Sequence, residues 1–338
     1  MTNIGRRALG LGAAAAAVGT TSAHAQNARS YVLTTATIGG TYYPVGVALA
    51  TLIKVRLQAQ LGLDMSAISS AGSTENVRLM RENQAQFAIL QGLVAQFAAD
   101  GAGPFANSGA QSNIRGILPL WYNFEQFVID RQLATTGRIM DMKNLEGGRR
   151  FSMGARGSGL ETMHLWLFPN LGVDHTKMDL VYQGYGPSAE SLITGAIQGT
   201  NFEAGLPTGA VTQAFARASA RLRFLQWSDE DIARGNGRAS LLVKGIVPSG
   251  TYPTQTEDWE TAKLPNYFAC NAAVPEEDVY LITKTVFENL PFLNNIHAAT
   301  REINLQESLG GYPFPLHPGA IRYYREAGLT VPANLVPA

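Results

Sequence analysis

One unit recurs along this chain and limits what it can fold into: a short apolar strand, a Gly- or Ser-bearing turn, then an amphipathic helix. Tyr31–Thr35 reads as a strand and Ile38-Gly39-Gly40-Thr41 as its turn. A helix follows, with Leu49, Leu52 and Ile53 at i, i+3, i+4 spacing. Met65–Ser69, the turn Ala71-Gly72-Ser73 and a helix through Val77 and Met80 to about Arg81 repeat the unit. Gln86–Leu90 and a helix from about Leu93 repeat it again. Such alternation with short loops predicts a mostly parallel sheet flanked by helices.

The rhythm breaks in the middle and then restarts. Arg115–Leu120 and Gln126–Asp130 read as two strands with no helix between them, and Asp141–Gly148 is polar. Then come a strand at Arg150–Gly154, a turn at Ala155–Gly159 and a helix Leu160–Phe168 ended by Pro169. Asp179–Gln183 and Leu222–Gln226 are further strands, and Pro187–Ile197 a further helix. Near the C-terminus, Val279, Ile282, Val286, Phe287 and Leu290 form a 3.6-period stripe behind the acids Glu276, Glu277 and Asp278, with Pro291 as its stop. Two similar α/β halves joined by extended crossings account for both the restart and the 338-residue length.

The N-terminus reads as an export signal. Arg6 and Arg7 precede an apolar stretch, Ala8 to Val18, too short to span a bilayer, and Ala23-His24-Ala25 is a small-x-small cleavage site. The arginine pair leaves the general secretory and twin-arginine routes both open. Cleavage after Ala25 removes two basic residues and no acid, leaving 24 basic against 26 acidic residues. A charge so near zero gives no footprint for nucleic acid. A single cysteine, Cys270 in an apolar stretch, excludes a disulfide framework and reads as a buried, inert thiol.

Catalytic patterns are scarce. No HExxH, GxSxG, Walker loop or strand-following GxGxxG is present. His164, His175, His297 and His317 are scattered, none paired at metal spacing. What recurs is the strand–turn–helix junction with small hydroxyl residues: Gly39-Gly40-Thr41-Tyr42-Tyr43, Gly72-Ser73-Thr74-Glu75-Asn76 and Gly157-Ser158-Gly159-Leu160-Glu161. Singly, each can be plain capping: Ser73 is a good N-cap and Ser158-x-x-Glu161 fits a capping box. Together, at strand ends of two halves, they would line a cleft with free helix N–H groups suited to an anion. Arg156, in the third junction, could grip a carboxylate. Tyr42, Tyr43, Tyr182 and Tyr185 could flank a ligand.

These motifs resemble, in order, those of the TAXI solute-binding proteins of TRAP transporters. Ile38-Gly39-Gly40-Thr41-Tyr42-Tyr43-Pro44-Val45-Gly46 looks like the family's opening motif and Ala71–Asn76 like its second. Asn144-Leu145-Glu146-Gly147 followed by Gly154–Gly159 resembles the second-domain entry, and Gly205-Leu206-Pro207 its Gly-x-Pro turn. Pro248-Ser249-Gly250-Thr251-Tyr252 and Leu316-His317-Pro318-Gly319-Ala320 resemble its C-terminal signatures. Where the family commonly has a proline this chain has Arg156, and an acid common in the family looks replaced near Gln198.

The resemblance implies a type II periplasmic-binding-protein-like α/β fold, two lobes with a hinge and a ligand cleft between them. Residues 1–25 would be the signal peptide, 26–124 plus 248–338 lobe I, and 125–247 lobe II, the lobes meeting near 125 and 247. It implies a periplasmic receptor that closes on a small carboxylate, a dicarboxylate or an amino acid such as glutamate or 2-oxoglutarate-like solutes, and delivers it to an inner-membrane TRAP permease. Thr41, Tyr42, Ser73, Asn76 and Gln91 would serve from the first lobe, and Arg156, Ser158, Gly159 and Thr208 from the second. No catalytic residue, metal or cofactor is called for, nucleic acid is not a partner, and a monomer is expected. A ligand-sensing adaptor for a sensor kinase and the receptor of an ABC importer share the lobes. A secreted enzyme using the same cleft finds the least support in the motifs.

Overall fold

The computed structural model describes residues 28–337, so the signal-peptide reading at 1–25 lies outside the described residues. The first half builds the three expected units. Strand β1 (Arg29–Thr34) leads to helix α1 (Tyr42–Ile53), β2 (Leu63–Ile68) to α2 (Ser73–Arg81), and β3 (Phe87–Gln91) directly to α3 (Gly92–Asp100). Strand β1 pairs in parallel with β2 on one side and β3 on the other. All five residues of β3 are buried, as a continuous apolar run in a covered parallel sheet should be. Helix α1 puts Leu49, Leu52 and Ile53 onto this sheet.

The second half repeats the arrangement. Strands β4 (Ile114–Phe124) and β5 (Phe127–Asp130) carry the chain across. Then β6 (Arg150–Ser152) leads to α4 (Gly159–Leu171), β7 (Asp179–Val181) to α5 (Tyr185–Thr194), and β8 (Gly199–Asn201) to α6 (Gly209–Ala218). Strand β6 lies between β7 and β8, in parallel with both. The spatial orders β2-β1-β3 and β7-β6-β8 are therefore equivalent, and in each the order reverses about the first strand. Crevices at such reversals are where open α/β sheets bind ligands.

The crossings interlock the halves. Strand β9 (Leu222–Phe224) closes the second sheet beside β5, and α7 (Asp229–Asn236) leads back. Strands β10 (Val243–Val247) and β11 (Trp259–Asn271) complete the first sheet, β11 pairing with β10 and β3 along one edge and β4 along the other. The chain thus re-enters the first sheet at Val243, ahead of the boundary expected at 247. Tight knots hold the crossings: Glu125 N donates to Ala262 O at 2.8 Å, and the Thr261 hydroxyl donates to Glu125 O.

The helix stops differ from expectation for local reasons. Helix α4 continues past Pro169 to Leu171 and ends on Gly172, whose φ of 70° gives the left-handed stop. A proline in the last turn deletes one donor without ending the helix. Helix α8 (Glu276–Glu288) buries Val279, Ile282 and Val286 as read, but it stops at Asn289. Pro291 opens the next helix, α9 (Leu290–Ile296), since a missing N–H is harmless in a first turn. The C-terminal helix α10 (Pro318–Glu326) packs on α8. Cys270 is fully buried in β11, and burial pushes its thiol well up. Among the described residues no helix is long and apolar enough to cross a membrane.

Candidate functional site

The strands β1, β3, β6 and β8 direct their C-terminal ends toward one place between the two sheets. Glycines let the backbones there approach closely. A Cβ on Gly72, whose φ is 134°, would lie 3.4 Å from Gly159 N and Ser158 Cα, and one on Gly40 would lie 2.9 Å from the Tyr185 ring. Direct bonds join the halves on both flanks. Glu75 N donates to Gly157 O at 2.9 Å and the hydroxyls of Thr74 and Thr162 meet at 2.9 Å. On the other flank the Thr41 hydroxyl donates to Gly205 O at 3.0 Å and Ala210 N to Gly39 O at 3.2 Å. Between the flanks lies a cavity of about 40 Å³.

Helix starts from both halves line it: Thr41 and Tyr42 at α1, Ser73 at α2, Ser158 and Gly159 at α4. The first N–H groups of a helix lack intrahelical partners and carry partial positive charge. Ser158 caps α4, its Oγ accepting from Glu161 N at 3.0 Å, while the Glu161 carboxylate turns to Gly157 N, so half the expected capping box forms. Ser73 is not an N-cap. Gly72 occupies that position, and Ser73 Oγ accepts from Gln91 N at 2.9 Å, tying two cavity walls together.

The most unusual lining group is Glu203, just past β8 and buried. Its Oε2 accepts from Gln91 Nε2 at 2.6 Å and its Oε1 from Asn123 Nδ2 at 3.1 Å. Both amides are fixed, for Gln91 Oε1 accepts from Val94 N and Asn123 Oδ1 from Trp121 Nε1. Burial pushes the Glu203 carboxyl up to about 7, against the opposing pull of these two donors. Its neighbour Glu125 is fully buried beneath the crossing, and burial, then the proximity of Glu203, holds it well above the ordinary carboxylate range. Glu125 Oε2 accepts from Asn201 Nδ2, and its Oε1 has no partner. Burial and the charge of Glu203 also raise the phenols of Tyr42 and Tyr185, which line the same cavity. Tyr185 donates its hydroxyl to Glu203 O.

Of the residues singled out from the sequence, Thr41, Tyr42, Ser73, Gln91, Ser158 and Gly159 meet at this cavity. Three do not line it. Asn76 is buried behind the wall, donating to Thr35 O and Ile89 O and accepting from Thr34 and Ser70, so it staples the first loop to the sheet. Thr208 is consumed by the turn, its hydroxyl donating to Gly205 O and accepting from Gln126 Nε2. Arg156 points outward: its side chain is 71% exposed, lies 3.6 Å from Glu161, and stacks 3.6 Å from the Tyr182 ring centroid. Ala155, between Gly154 and Arg156, is the residue of this loop that lines the cavity. Tyr182 is occupied by that stack. Gln198, at the other departure from the family pattern, is structural: it accepts from Arg150 N and donates to Gly195 O. Glu203 and Asn123 were missed. The one signal was an acid between Phe202 and Ala204, just before Gly205-Leu206-Pro207, and the three-residue strand β8 was too short to read.

The profile of the NMT1-like family matches residues 33–328, nearly the whole described chain. The chain belongs to the NMT1-like family. Among solved structures it is similar to MatC from Rhodopseudomonas palustris with bound malate, at 13% identity and a TM-score of 0.52 over 81% of this chain and 89% of that one. It is also similar to PhnD1 from Prochlorococcus marinus in complex with methylphosphonate, at 14% identity and a TM-score of 0.49 over 81% and 92%. A third is a ligand-binding component of an ABC-type import system from Staphylococcus aureus with zinc bound, at 9% identity and a TM-score of 0.47 over 91% and 96%. The architecture of this NMT1-like chain is the two-sheet α/β fold of periplasmic binding proteins, as its motifs implied.

Proposed function

We propose that this chain is the periplasmic solute receptor of a TRAP-type secondary transporter, capturing a small carboxylate and delivering it to an inner-membrane permease. One observation carries the reading: helix starts from both halves converge on one cavity at the strand ends. A carboxylate there meets N–H groups and hydroxyls from both sides, so binding would hold the halves together. The ordered TAXI-like motifs and the fold shared with malate-bound MatC support the same reading. The hinge would lie in the crossings, at Glu125-Gln126 and in β11, with residues 26–124 and the C-terminal segment moving against the central lobe. No bond is broken, so no acid, base or nucleophile is assigned.

Thermal unfolding of the chain from Gln26 onward, against small acids, amino acids, sugars and divalent cations, tests this. A solute at a hundred times its Kd stabilises by about 2.7 kcal/mol, a readily measured rise in Tm. Stabilisation by sugars or cations but by no carboxylate would overturn the reading.

A further inference from the structure

We propose that Glu203 makes the site selective for a solute with an ammonium group beside its carboxylate, a small zwitterionic amino acid, over dicarboxylates. This rests on the solute-receptor reading and names the substrate class within it. Among the described residues that line the cavity there is no lysine, arginine or histidine, and the one carboxylate is Glu203. A dicarboxylate would therefore set its second charge against a buried acid with no cation to offset either. Like charges sharing a dry site repel strongly, and such repulsion is how a site rejects a competitor.

An ammonium finds the opposite. Each Glu203 oxygen accepts one hydrogen bond, from Gln91 and from Asn123, and a carboxylate can accept about four. The remaining capacity suits N–H donors. The Tyr42 and Tyr185 rings line the same cavity, and aromatic faces attract cations. The two ends of the site are also adjacent. Gln91 Nε2, which holds Glu203, lies 3.4 Å from Gly159 O at the start of α4, and Gln91 N is bonded to Ser73 at the start of α2. An α-amino acid carries its ammonium and carboxylate one carbon apart and fits that adjacency. The cavity is small, about 40 Å³, which favours a short side chain over a long one.

The test is calorimetric titration at pH 8 of the chain from Gln26 onward with matched pairs: alanine against propionate, serine against glycerate, and aspartate against malate and succinate. Glu203→Gln and Glu203→Asp are titrated with the amino acid that binds best. The expected result is binding of a small amino acid, at least about 100-fold weaker binding of its des-amino partner, and a loss of about 100-fold in Glu203→Gln with partial recovery in Glu203→Asp. Equal binding of malate or glycerate, or unchanged affinity in Glu203→Gln, overturns the inference and leaves the receptor reading standing. So does dicarboxylate binding that strengthens below pH 7, since Glu203 would then act as a neutral donor. Failure of every acid, amino or not, to bind overturns both. Should Glu203→Gln not fold, the matched pairs on the unaltered chain decide.

Discussion

Replacing Glu203 with glutamine shifts the stability of the unliganded protein in the variant's favour as pH rises, by an amount the structure sets. Burial carries this carboxyl from an ordinary 4.5 up to about 7. Holding it ionised in the folded chain therefore costs about 3 kcal/mol. The sign follows from proton counts. Between pH 4.5 and 7 the unfolded chain has released this proton while the folded chain keeps it, so stability falls as pH rises through that window and is level above it. Glutamine cannot ionise. Its NH₂ must face Gln91 Nε2 or Asn123 Nδ2, both pinned as donors, which costs about 1–3 kcal/mol at every pH. The difference between variant and parent should thus be constant below pH 4.5, rise by about 3 kcal/mol by pH 7, and stay there. Glu125 adds to the same sign, because Glu203 helps to raise it. Urea unfolding followed by the fluorescence of the four tryptophans, from pH 4 to 8.5, measures both proteins. A difference that is flat across this range, or that slopes the other way, would refute the buried-acid reasoning.

His164 should act in the opposite direction. It is buried against Phe168 at a centroid distance of 4.9 Å, and burial lowers it to about 3. The unfolded chain takes up a proton below about 6.5 and the folded chain does not, so stability is lost as pH falls from there. His164→Phe should remove about 3 kcal/mol of that loss between pH 6.5 and 4, seen as a shallower decline of Tm over that range. Gly319→Ala should destabilise by about 3 kcal/mol, because a Cβ there would sit 2.3 Å from Glu276 O and 2.6 Å from Tyr280 N, both rigid backbone of α8. An unchanged urea midpoint would mean α8 and α10 can separate at little cost. Arg156→Ala should leave the affinity for any carboxylate within about twofold, since an exposed pair contributes little and the side chain lies outside the cavity. A tenfold loss by calorimetry would place Arg156 in the site after all.

The strand–helix alternation was legible because it is local. Phe87–Gln91 needs only a run of apolar residues, and α8 only its stripe and acidic first turn. The helix starts that line the cavity were legible for the same reason, as Gly, Ser and Thr must stand where a backbone turns from strand to helix. Short or interrupted elements were not. Strand β8 has three residues, and Pro265 disguises β11, which tolerates it at a register shift. Asn76, Thr208 and Arg156 had the right chemistry at the right junctions, yet the direction of each side chain depended on partners that no spacing reveals.

By itself, then, the amino-acid order determined two α/β halves, the places where their helices begin, and an absence of catalytic patterns. Tertiary structure alone decided what those helix starts face. Gln91 and Glu203 stand 112 residues apart in the chain and 2.6 Å apart in space. The near-zero net charge pointed to no particular solute. The folded chain moves one of its 26 acids out of water and into the cavity between the halves. A charge acts through its distance and its solvent, and both are set only when the strands from the two halves have been brought end to end.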